Sequence, residues 1–357
     1  MFNQALRAPL AQATPDFVPS NAVEEALNAL LAGRDLSRDE SHALFAALVR
    51  GALDDAAMAA LFVALRLKGE STEELIGAAR ALREADAPFP RPDYRFADSC
   101  GTGGDGSGSI NVSTSVAFVA AAAGLPIAKH GNRSFTSRCG SADVLEALGV
   151  QIDLPAEKSR RILDEIGVCF LFAPQYHPGL KHAGPVRRRL KVRTVMNLLG
   201  PCLNPAEPSV QLLGVADPVL LEPIAMTLAS LGVQDALVVH GSGLDEIALH
   251  GPTLAVRLHD GALEPLDITP EGAGVARAAV GSARGGEPIE NAARLKALLE
   301  GCAPTAEADL VAINAGALLM TAGLAPSIRE GTQMASDIIA SGRAARLLDA
   351  FVEASND

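Results

Sequence analysis

The spacing of apolar residues divides the chain into a helical first part and a mixed second part. From residue 22 to residue 88, apolar side chains recur every three or four positions, which predicts helices throughout. Ser37 followed by Glu40 is a capping box that marks a helix start, and Gly51 and Gly69 mark helix ends. The resulting predicted helices cover residues 41–50, 54–67 and 72–84.

A proline-rich segment, residues 87–92, ends the helical pattern and is interpreted as a linker. Beyond it, short apolar runs alternate with helical segments, which predicts a mainly parallel sheet with helices outside it. The predicted strands are residues 95–99, 125–129, 167–172, 210–215, 235–240 and 254–258, with helices at 142–148, 156–165 and 218–231. The basic segment 183–204 interrupts this alternation with a helical pattern, and helices are again predicted at 289–300, 306–322, 328–341 and 343–353.

Composition narrows the functional classes. The chain has 357 residues, of which 48% are hydrophobic, and its net charge of −12 and pI near 5.1 argue against a nucleic-acid partner. The longest uncharged stretch, residues 310–328, contains Gly316, Gly323 and Pro326, so it predicts a buried helix and a turn, with no membrane span. Residues 1–19 lack the apolar core of a signal sequence and are expected to form a flexible extension.

Cysteine usage bears on the cellular compartment. The five cysteines, at positions 100, 139, 169, 202 and 302, show neither C-x-x-C nor metal-ligand spacing. Reduced thiols are the simplest account of such a pattern, which predicts a cytoplasmic protein.

The most informative segment runs from residue 100 to residue 137. A glycine-rich turn, Gly101-Thr-Gly-Gly-Asp105-Gly-Ser-Gly108, separates a predicted strand end from an alanine-rich run that begins at Val112. Strand, glycine turn and helix N-terminus in that order form a phosphate cradle, because free backbone N–H groups and the helix dipole attract an anion. Glycines also let the backbone approach the anion without a Cβ in the way.

The same segment is poor in acidic residues. Asp and Glu number 42 in the chain, yet none lies between Asp105 and Asp143. This acid-free window contains Lys129, His130, Arg133 and Arg138. In a protein of net charge −12, a local basic window predicts a polyanionic ligand.

A dinucleotide-binding site is the main competitor. Gly101-x-Gly103-x-x-Gly106 matches the dinucleotide glycine pattern, which expects an acidic residue about 20 positions further on. Here the second predicted strand continues into Lys129 and His130, so the nicotinamide interpretation is poor. A flexible surface turn remains open from the glycine motif alone, since one such motif is weak evidence.

These residues, together with several later motifs, resemble the anthranilate phosphoribosyltransferase family. The resemblance lies in Gly101-Thr-Gly-Gly-Asp105, Asn111-x-Ser113-Thr114, Lys129-His-Gly-Asn-Arg133, His177-Pro178, Gly184-Pro-Val-Arg187, Arg193-Thr194, Asn197-Leu-Leu-Gly-Pro201, Asn204-Pro205, Gly243-Leu-Asp-Glu246 and Gly251-Pro-Thr253. The motifs occur in family order over residues 99–253, and the flanking helical segments fit the family outline from 20 to 353.

The resemblance implies a fold of class α/β, with a small all-helical domain and a larger α/β domain whose mainly parallel central sheet is flanked by helices. Residues 20–88 with 183–205 would form the helical domain, and residues 93–182 with 206–353 the α/β domain. It also implies a homodimer that forms through the helical domain.

By the same resemblance, the chain would transfer 5-phosphoribosyl from phosphoribosyl pyrophosphate (PRPP) to the amine of anthranilate in tryptophan biosynthesis, with Mg²⁺ as cofactor. The implied PRPP ligands are Gly101, Thr102, Gly103, Gly104, Asp105, Asn111, Ser113, Thr114, Lys129 and Ser141. The implied anthranilate ligands are Gly101, His130, Asn132 and Arg187. No general base stands out, and an aromatic amine that is neutral at pH 7 does not need a strong one.

The adjacent carboxylates Asp245 and Glu246 are the candidate metal ligands. They follow a predicted strand and the turn at 241–243, and Mg²⁺ prefers oxygen ligands that it shares with substrate phosphates. Acidic residues also stabilise a helix N-terminus, so the pair alone leaves both interpretations open. The phosphate cradle elsewhere in the chain favours the metal, with the Ser113 hydroxyl as a further ligand.

Five basic residues occupy the seven positions 187–193. A solvated helix face or a nucleic-acid patch would explain them, but the resemblance singles out Arg187 as the group that receives the anthranilate carboxylate. A planar guanidinium suits that task because it binds a carboxylate through two parallel hydrogen bonds. His130 lies inside the substrate motif, whereas for His177 a satisfied loop histidine is at least as good an interpretation.

Two other functions are considered. A pyrimidine-nucleoside phosphorylase would use phosphate and a nucleoside, and the Asp245-Glu246 pair and the segment 184–187 argue against it. A non-catalytic nucleic-acid binder would show a basic surface and a degraded glycine motif. The chain departs from common family wording at Lys191, Met196 and Cys202, which leaves the shape of the substrate channel open.

Overall fold

The computed structural model describes residues 20–134 and 138–357. The predicted extension 1–19 lies outside the described residues, and the part that follows it is helical, as its apolar spacing predicts. Its helices are α1 (Ser20–Leu31), α2 (Arg38–Val49), α3 (Asp55–Lys68) and α4 (Thr72–Glu84). The capping box is confirmed, because the Ser37 hydroxyl accepts from the Glu40 N–H and the Glu40 carboxylate accepts from the Ser37 N–H at 2.8 Å.

The strands of the second part form one twisted layer. They are β1 (Ala97–Gly101), β2 (Ile127–Gly131), β3 (Val168–Phe172), β4 (Val210–Gly214), β5 (Asp235–His240), β6 (Thr253–His259) and β7 (Ala262–Ile268). Within the described residues the sheet order is β3-β2-β1-β4-β5-β6-β7. Pairing is parallel from β3 through β5 and antiparallel for β6 and β7. The predicted fold class is therefore confirmed.

Strand β7 was not among the predicted strands. It pairs with β6 alone at the end of the sheet order, and most of its residues are exposed or half-buried. It contains Pro265, which an edge strand tolerates because no further neighbour needs its missing N–H donor. Glu264 and Asp267 make the strand polar as well, so it lacks the apolar run by which the other strands were recognised.

Wherever the sequence predicted one of the remaining helices, the structure has a helix within a few residues of the predicted bounds. They are α5 (Val112–Ala122), α6 (Ser141–Ala147), α7 (Ala156–Ile166), α8 (Ala173–Tyr176), α9 (Ala183–Leu190), α10 (Val195–Leu199), α11 (Leu221–Ser230), α12 (Pro288–Leu299), α13 (Thr305–Thr321), α14 (Ile328–Ala340) and α15 (Arg343–Asn356). Across residues 20–134 and 138–357, none of the helices is long and apolar enough to cross a membrane.

The basic segment predicted as helical over 183–204 is broken into α9 and α10. The break is at Lys191, whose backbone adopts the left-handed conformation with φ 54° and ψ 25°. Glycine favours that conformation and ends helices in this way, so a lysine there strains the backbone. The departure at Lys191 noted in the sequence therefore falls on a helix end, and α10 starts again after Thr194.

Buried apolar residues pack against both faces of the sheet. Leu237 and Val239 of β5 belong to the hydrophobic cluster that contains α5 and α13. Val238, which points the other way along the strand, belongs to a cluster with α11, α2 to α4 and parts of α9 and α10. The segment 183–203 thus shares a core with the N-terminal helices. The domain division at 20–88 with 183–205 and 93–182 with 206–353 stays a prediction.

The parallel pairing fixes where a site can form. Strands β1, β2, β4 and β5 run in the same direction, so the loops that follow Gly101, Gly131, Gly214 and His240 meet at one edge of the sheet. Ligands of open α/β sheets bind in the crevice outside this carboxyl edge.

Candidate active site

The loop between β1 and α5 has a backbone that only glycine adopts readily. Gly103, Gly104, Gly106 and Gly108 have φ angles of 67°, 75°, 75° and 57°. An L-residue with a side chain is strained at such angles, so the glycines of the motif are required by the loop conformation. The loop ends at Asn111, where the N-terminus of α5 begins, as the phosphate-cradle interpretation expects.

Asp245 packs directly against this loop. Its Oδ2 accepts a hydrogen bond from the Gly103 N–H at 2.6 Å. A Cβ on Gly101 would lie 2.3 Å from that Oδ2, and a Cβ on Gly214 would lie 1.5 Å from the Asp245 carbonyl oxygen. Two motifs that are more than a hundred residues apart in sequence are thereby brought into contact, and only glycine leaves room for it.

Asp245, Glu246 and Asp105 form an acidic group beside the loop. Burial raises the pKa of Asp245 to about 7, and the charge of Asp105 adds to the shift. Burial also raises the pKa of Glu246 well above its usual value, with Asp245 and Asp105 contributing. Buried carboxylates with raised pKa values gain most from a bound cation, because a cation restores the charged form.

The acidic group fits Mg²⁺. Glu246 Oε2 and Asp105 Oδ2 are buried without a hydrogen-bond partner, while Glu246 Oε1 accepts from Ser109 Oγ at 3.5 Å. Among the described residues, no three His, Cys, Asp or Glu side chains already stand at metal-ligand spacing. The two adjacent carboxylates of Asp245 and Glu246 suit Mg²⁺ by themselves, since it usually takes one or two carboxylates and completes its shell with water and substrate phosphate oxygens.

Lys129 is buried beneath the N-terminus of α5. Its Nζ donates to the Ser99 carbonyl at 2.7 Å and to Ser113 Oγ at 3.2 Å. Burial lowers the pKa of Lys129, and the nearby Asp98 carboxylate opposes that shift. Beside it, the Thr114 hydroxyl is buried without a hydrogen-bond partner. The predicted ligands Lys129, Ser113 and Thr114 therefore lie together at the helix N-terminus.

Thr102 and Asn111 make contacts within the protein. The Thr102 N–H donates to the Gly214 carbonyl at 2.9 Å, and its hydroxyl accepts from the Ala216 N–H at 3.3 Å. Asn111 Nδ2 donates to the Cys139 carbonyl at 3.3 Å. Both side chains thus hold the loop in place, and their direct contact with PRPP stays a prediction.

Asn291 of α12 supports Asn111, and the sequence analysis did not predict this contact. Its Nδ2 donates to Asn111 Oδ1 at 2.9 Å, and its own Oδ1 accepts from the Gly286 N–H at 2.7 Å. Asn291 is buried and lies 180 positions from Asn111. A polar residue on the buried face of a helix was the available signal, but nothing in the sequence named its partner.

The turn after β2 carries Asn132, and Ser141 packs beside it. Ser141 Oγ donates to the Asn132 carbonyl at 3.4 Å. Arg133, one of the cations of the acid-free window, pairs with Glu146 at 2.8 Å and with Asp143 at 3.3 Å. Helix α6 thus brings the next acidic residues to Arg133, and a contribution of Arg133 to a basic ligand site stays a prediction.

His130 and His177 form a buried pair. Their Nε2 atoms lie 3.0 Å apart, and His177 Nδ1 lies 2.5 Å from Asp86 Oδ1. Burial is the main cause that lowers the pKa of His130 well below its usual value. His177 and then Lys129 add smaller contributions in the same direction. His177 is thus tied to a substrate-motif residue, and Asp86 is a further member of the group that sequence reasoning missed.

The basic residues of the cluster at 187–193 differ in how far they are buried. Arg187 is half-buried, and burial lowers its pKa, whereas Arg188 and Arg189 are exposed. Arg189 pairs with Asp55 at 2.8 Å. Arg193 Nη1 donates to the Gly104 carbonyl at 3.3 Å, so the segment after α9 reaches the glycine loop. This last contact was missed in the sequence as well.

Two family models together match most of the chain. The model described as "Glycosyl transferase family, helical bundle domain" matches residues 24–86. The model described as "Glycosyl transferase family, a/b domain" matches residues 93–345.

Named relatives point to one activity. An anthranilate phosphoribosyltransferase of Sorangium cellulosum is 60% identical over 93% of this chain and 95% of its own length. The solved anthranilate phosphoribosyltransferase of Thermus thermophilus has a TM-score of 0.87 at 43% identity, covering 93% of this chain and 99% of that one.

The Saccharomyces cerevisiae enzyme of the same name has been solved with PRPP and Mg (TM-score 0.86, 26% identity, 94% of this chain and 98% of that one). It has also been solved with 4-fluoroanthranilate (TM-score 0.84 at the same identity and coverage). The motifs, the fold and these relatives agree, and the chain belongs to the anthranilate phosphoribosyltransferase family.

Proposed function

We propose that the carboxyl edge of the sheet is where this protein transfers the 5-phosphoribosyl group of PRPP to the amine of anthranilate. The products are N-(5-phosphoribosyl)anthranilate and pyrophosphate, and the reaction belongs to tryptophan biosynthesis. The observation that carries the assignment is the glycine loop held against Asp245, since it joins a phosphate cradle to an acidic group. Positioning and electrostatics would supply most of the rate acceleration.

PRPP would bind along the glycine loop and the N-terminus of α5. The proposed ligands are Gly101, Thr102, Gly103, Gly104, Asp105, Asn111, Ser113, Thr114, Lys129 and Ser141. Backbone N–H groups of the loop and the positive end of the α5 dipole favour phosphate. The buried ammonium of Lys129, 3.2 Å from Ser113 Oγ, adds a positive charge beneath the cradle.

Mg²⁺ is the proposed cofactor, with Asp245, Glu246 and Ser113 as its protein ligands. Their support is the partnerless buried oxygen of Glu246 and the raised pKa values of both acids. When bound, the metal would neutralise charge on the leaving pyrophosphate. Because the pKa values of both acids are raised, a bound cation would favour their ionised forms, which links metal binding to the loss of their protons.

Anthranilate would bind on the other side of the reacting carbon, with Gly101, His130, Asn132 and Arg187 as proposed contacts. The half-buried guanidinium of Arg187 can bind the carboxylate through two parallel hydrogen bonds. The neutral amine then attacks the ribose carbon as the bond to pyrophosphate breaks and positive charge develops on the ring.

One assay tests the activity directly. Anthranilate fluorescence is expected to disappear only when protein, PRPP and Mg²⁺ are all present, and EDTA is expected to stop the reaction. Thymidine with inorganic phosphate serves as the contrasting substrate pair. Phosphorolysis of thymidine without consumption of anthranilate would instead assign the chain to the nucleoside phosphorylases.

We further propose a homodimer that forms through the helical domain. Leu67 and Val63 lie four residues apart on α3 and are 81% and 38% exposed, and Leu31 of α1 is 68% exposed. Helices α1 and α3 pack against each other, so these exposed apolar side chains lie on neighbouring helices. A second copy of the chain would cover these side chains.

A cytoplasmic location is also proposed, supported by five cysteines that are all free thiols.

Leu67→Glu is expected to convert the dimer to a monomer, because a charge placed in an apolar interface loses its hydration. Light scattering after gel filtration should then give a mass near the chain mass of 36.8 kDa, against about twice that for the wild type. Ile289→Glu on α12, where the side chain is 82% exposed, is the matched control and should remain dimeric. A dimeric Leu67→Glu variant would refute the proposed interface.

A further inference from the structure

A chain of buried polar contacts runs from the linker after α4 to the substrate motif. It starts at Asp86, passes through His177 and ends at His130, with atoms 2.5 Å and 3.0 Å apart at the two junctions. The side chains of Asp86 and His177 are 10% and 5% exposed, and His130 is buried as well. The linker is also attached by its backbone, since the Ala87 N–H donates to the Tyr176 carbonyl at 2.7 Å.

The difference in basicity between imidazole and carboxylate decides which atom carries the proton at the first junction. Imidazole is a stronger base than a carboxylate by more than about two pKa units, so the proton between Asp86 and His177 lies on His177 Nδ1. Burial raises the pKa of Asp86, but His177 and the positive charge of Arg83 oppose that rise, while Glu207 adds to it. Asp86 therefore acts as the acceptor, and its second oxygen is buried without a partner.

The proton on His177 Nδ1 fixes the next junction. In the neutral form of His177, Nε2 carries only a lone pair, so the N–H between the two rings then belongs to His130 Nε2. Burial is the main cause that lowers the pKa of His130 and keeps it neutral, and the positive charge of Lys129 acts in the same direction. A neutral imidazole with its proton on Nε2 carries a lone pair at Nδ1.

We propose that Asp86 is a positioning residue: through a neutral His177 it sets the tautomer of His130, so that His130 Nδ1 accepts a hydrogen bond from the amine of anthranilate. This inference rests on the proposed role of His130 in binding anthranilate. An amine that donates one N–H to His130 keeps its nitrogen lone pair directed away from the ring and available to attack the ribose carbon. With the opposite tautomer, His130 Nδ1–H would donate to that lone pair and withdraw it from the reaction.

Asp86→Leu removes the acceptor while keeping a side chain of similar shape. We expect kcat to fall about 10- to 100-fold, because the tautomer of His130 is no longer fixed. The KM for PRPP should not change, and the KM for anthranilate should change less than kcat, since either tautomer can still hydrogen-bond the amine. Asp86→Glu restores a carboxylate and should recover part of the loss.

Asp93→Leu is the matched control, because Asp93 directly follows the linker and is exposed. It should leave all kinetic constants unchanged. A double-mutant cycle with His177→Gln adds a test of coupling: the double variant should be no worse than His177→Gln alone, since both changes interrupt the same chain. If Asp86→Leu fails to fold, His177→Gln alone interrupts the same chain of contacts and should lower kcat by a similar factor.

Proton-detected nitrogen NMR of histidine-labelled protein reads the tautomers without turnover. In the wild type, His177 should be protonated at Nδ1 and His130 at Nε2, and Asp86→Leu should move His130 toward Nδ1 protonation. Wild-type His130 protonated at Nδ1, or an unchanged kcat in Asp86→Leu, would overturn the inference. If Asp86→Leu raised both KM values equally, lowered the Tm and left the histidine signals unchanged, Asp86 would have only a structural role. If the wild type fails to consume anthranilate, the proposed function fails, whereas the tautomer assignment is still decided by the NMR signals.

Discussion

Replacing Asp245 by Asn together with Glu246 by Gln is expected to lower kcat roughly a thousandfold or more at limiting Mg²⁺. The two side chains keep their size and lose the charge that would hold the metal. Asp245 also receives the Gly103 N–H at 2.6 Å, an acceptor role that an amide oxygen can keep, so the loop should retain its conformation. Steady-state rates measured over a Mg²⁺ titration test the prediction.

The control for this variant is Asp260→Asn with Glu264→Gln, two exposed acids on the β6–β7 hairpin. It changes the net charge by the same amount and should leave both kcat and the Mg²⁺ dependence unchanged. Wild-type rates in the Asp245–Glu246 variant at limiting Mg²⁺ would show that these carboxylates do not hold the metal.

The stability of the same variant should depend on pH in a defined direction. The pKa of Asp245 is raised to about 7, so without metal the folded protein retains a proton that the unfolded chain releases near its ordinary pKa of 3.8. The folded state binds more protons between these values, and its stability therefore falls as the pH rises through this window. The uncharged variant lacks that loss, so its Tm relative to the wild type should rise by roughly 2–4 °C from pH 5 to pH 8.

Added Mg²⁺ gives the reverse arm of that experiment. It favours the ionised acids and should raise the Tm of the wild type at pH 8, where ionisation without a cation is most unfavourable. The variant should show no such response. Parallel pH profiles for the two proteins without Mg²⁺ would mean that these carboxylates do not lie in the buried, mutually repelling arrangement described above.

Much of the sheet was predictable because its parallel strands are buried on both faces. The runs 167–172, 210–215 and 235–240 are nearly all apolar, and the structure places β3, β4 and β5 there. Strand β7 is half-exposed and contains Pro265, so its sequence lacks that signal. The break at Lys191 was also missed, since a lysine does not mark a left-handed helix end as a glycine would.

The local part of the site could be predicted because its chemistry is written in consecutive residues. Gly103, Gly104, Gly106 and Gly108 have the positive φ angles that the loop needs, and α5 begins after the loop. Contacts between distant segments could not be predicted from local patterns. Asn291 supports Asn111 from 180 positions away, and Asp86 reaches His177 from 91 positions away. Such pairs depend on the packing of α12 and of the linker, which no local pattern encodes.

Arg133 illustrates the limit of reasoning from charge along the chain. Its acid-free surroundings extend along the sequence from Asp105 to Asp143, but α6 folds back and brings Asp143 and Glu146 to its guanidinium. Arg187 differs, because its burial separates it from its exposed neighbours. Position in the sequence shows neither the acidic partners of Arg133 nor the burial of Arg187, and the role of Arg187 as a ligand stays a prediction.

Arg187→Ala is expected to raise the KM for anthranilate about 10- to 100-fold and to change the KM for PRPP much less. The reason is the loss of a charge-assisted, two-pronged contact to the carboxylate, which contributes roughly 1.5–3 kcal/mol. Arg187→Lys keeps the charge but not the fork and should recover only part of the loss. Arg188→Ala, at an exposed neighbouring position, is the matched control. Each substrate is varied while the other is saturating.

Lys129 should show the opposite preference, because its ammonium lies under the phosphate cradle and contacts Ser113 Oγ at 3.2 Å. Lys129→Met keeps the length of the side chain and should raise the KM for PRPP more than that for anthranilate. It should also lower the Tm, since the buried Asp98 loses the positive charge that opposes the rise in its pKa. A selective loss of PRPP affinity distinguishes the ligand role from this general destabilisation. If Arg187→Ala instead affects both KM values equally, or leaves anthranilate binding intact, the cluster at 187–193 is a solvated basic helix and the carboxylate is bound elsewhere.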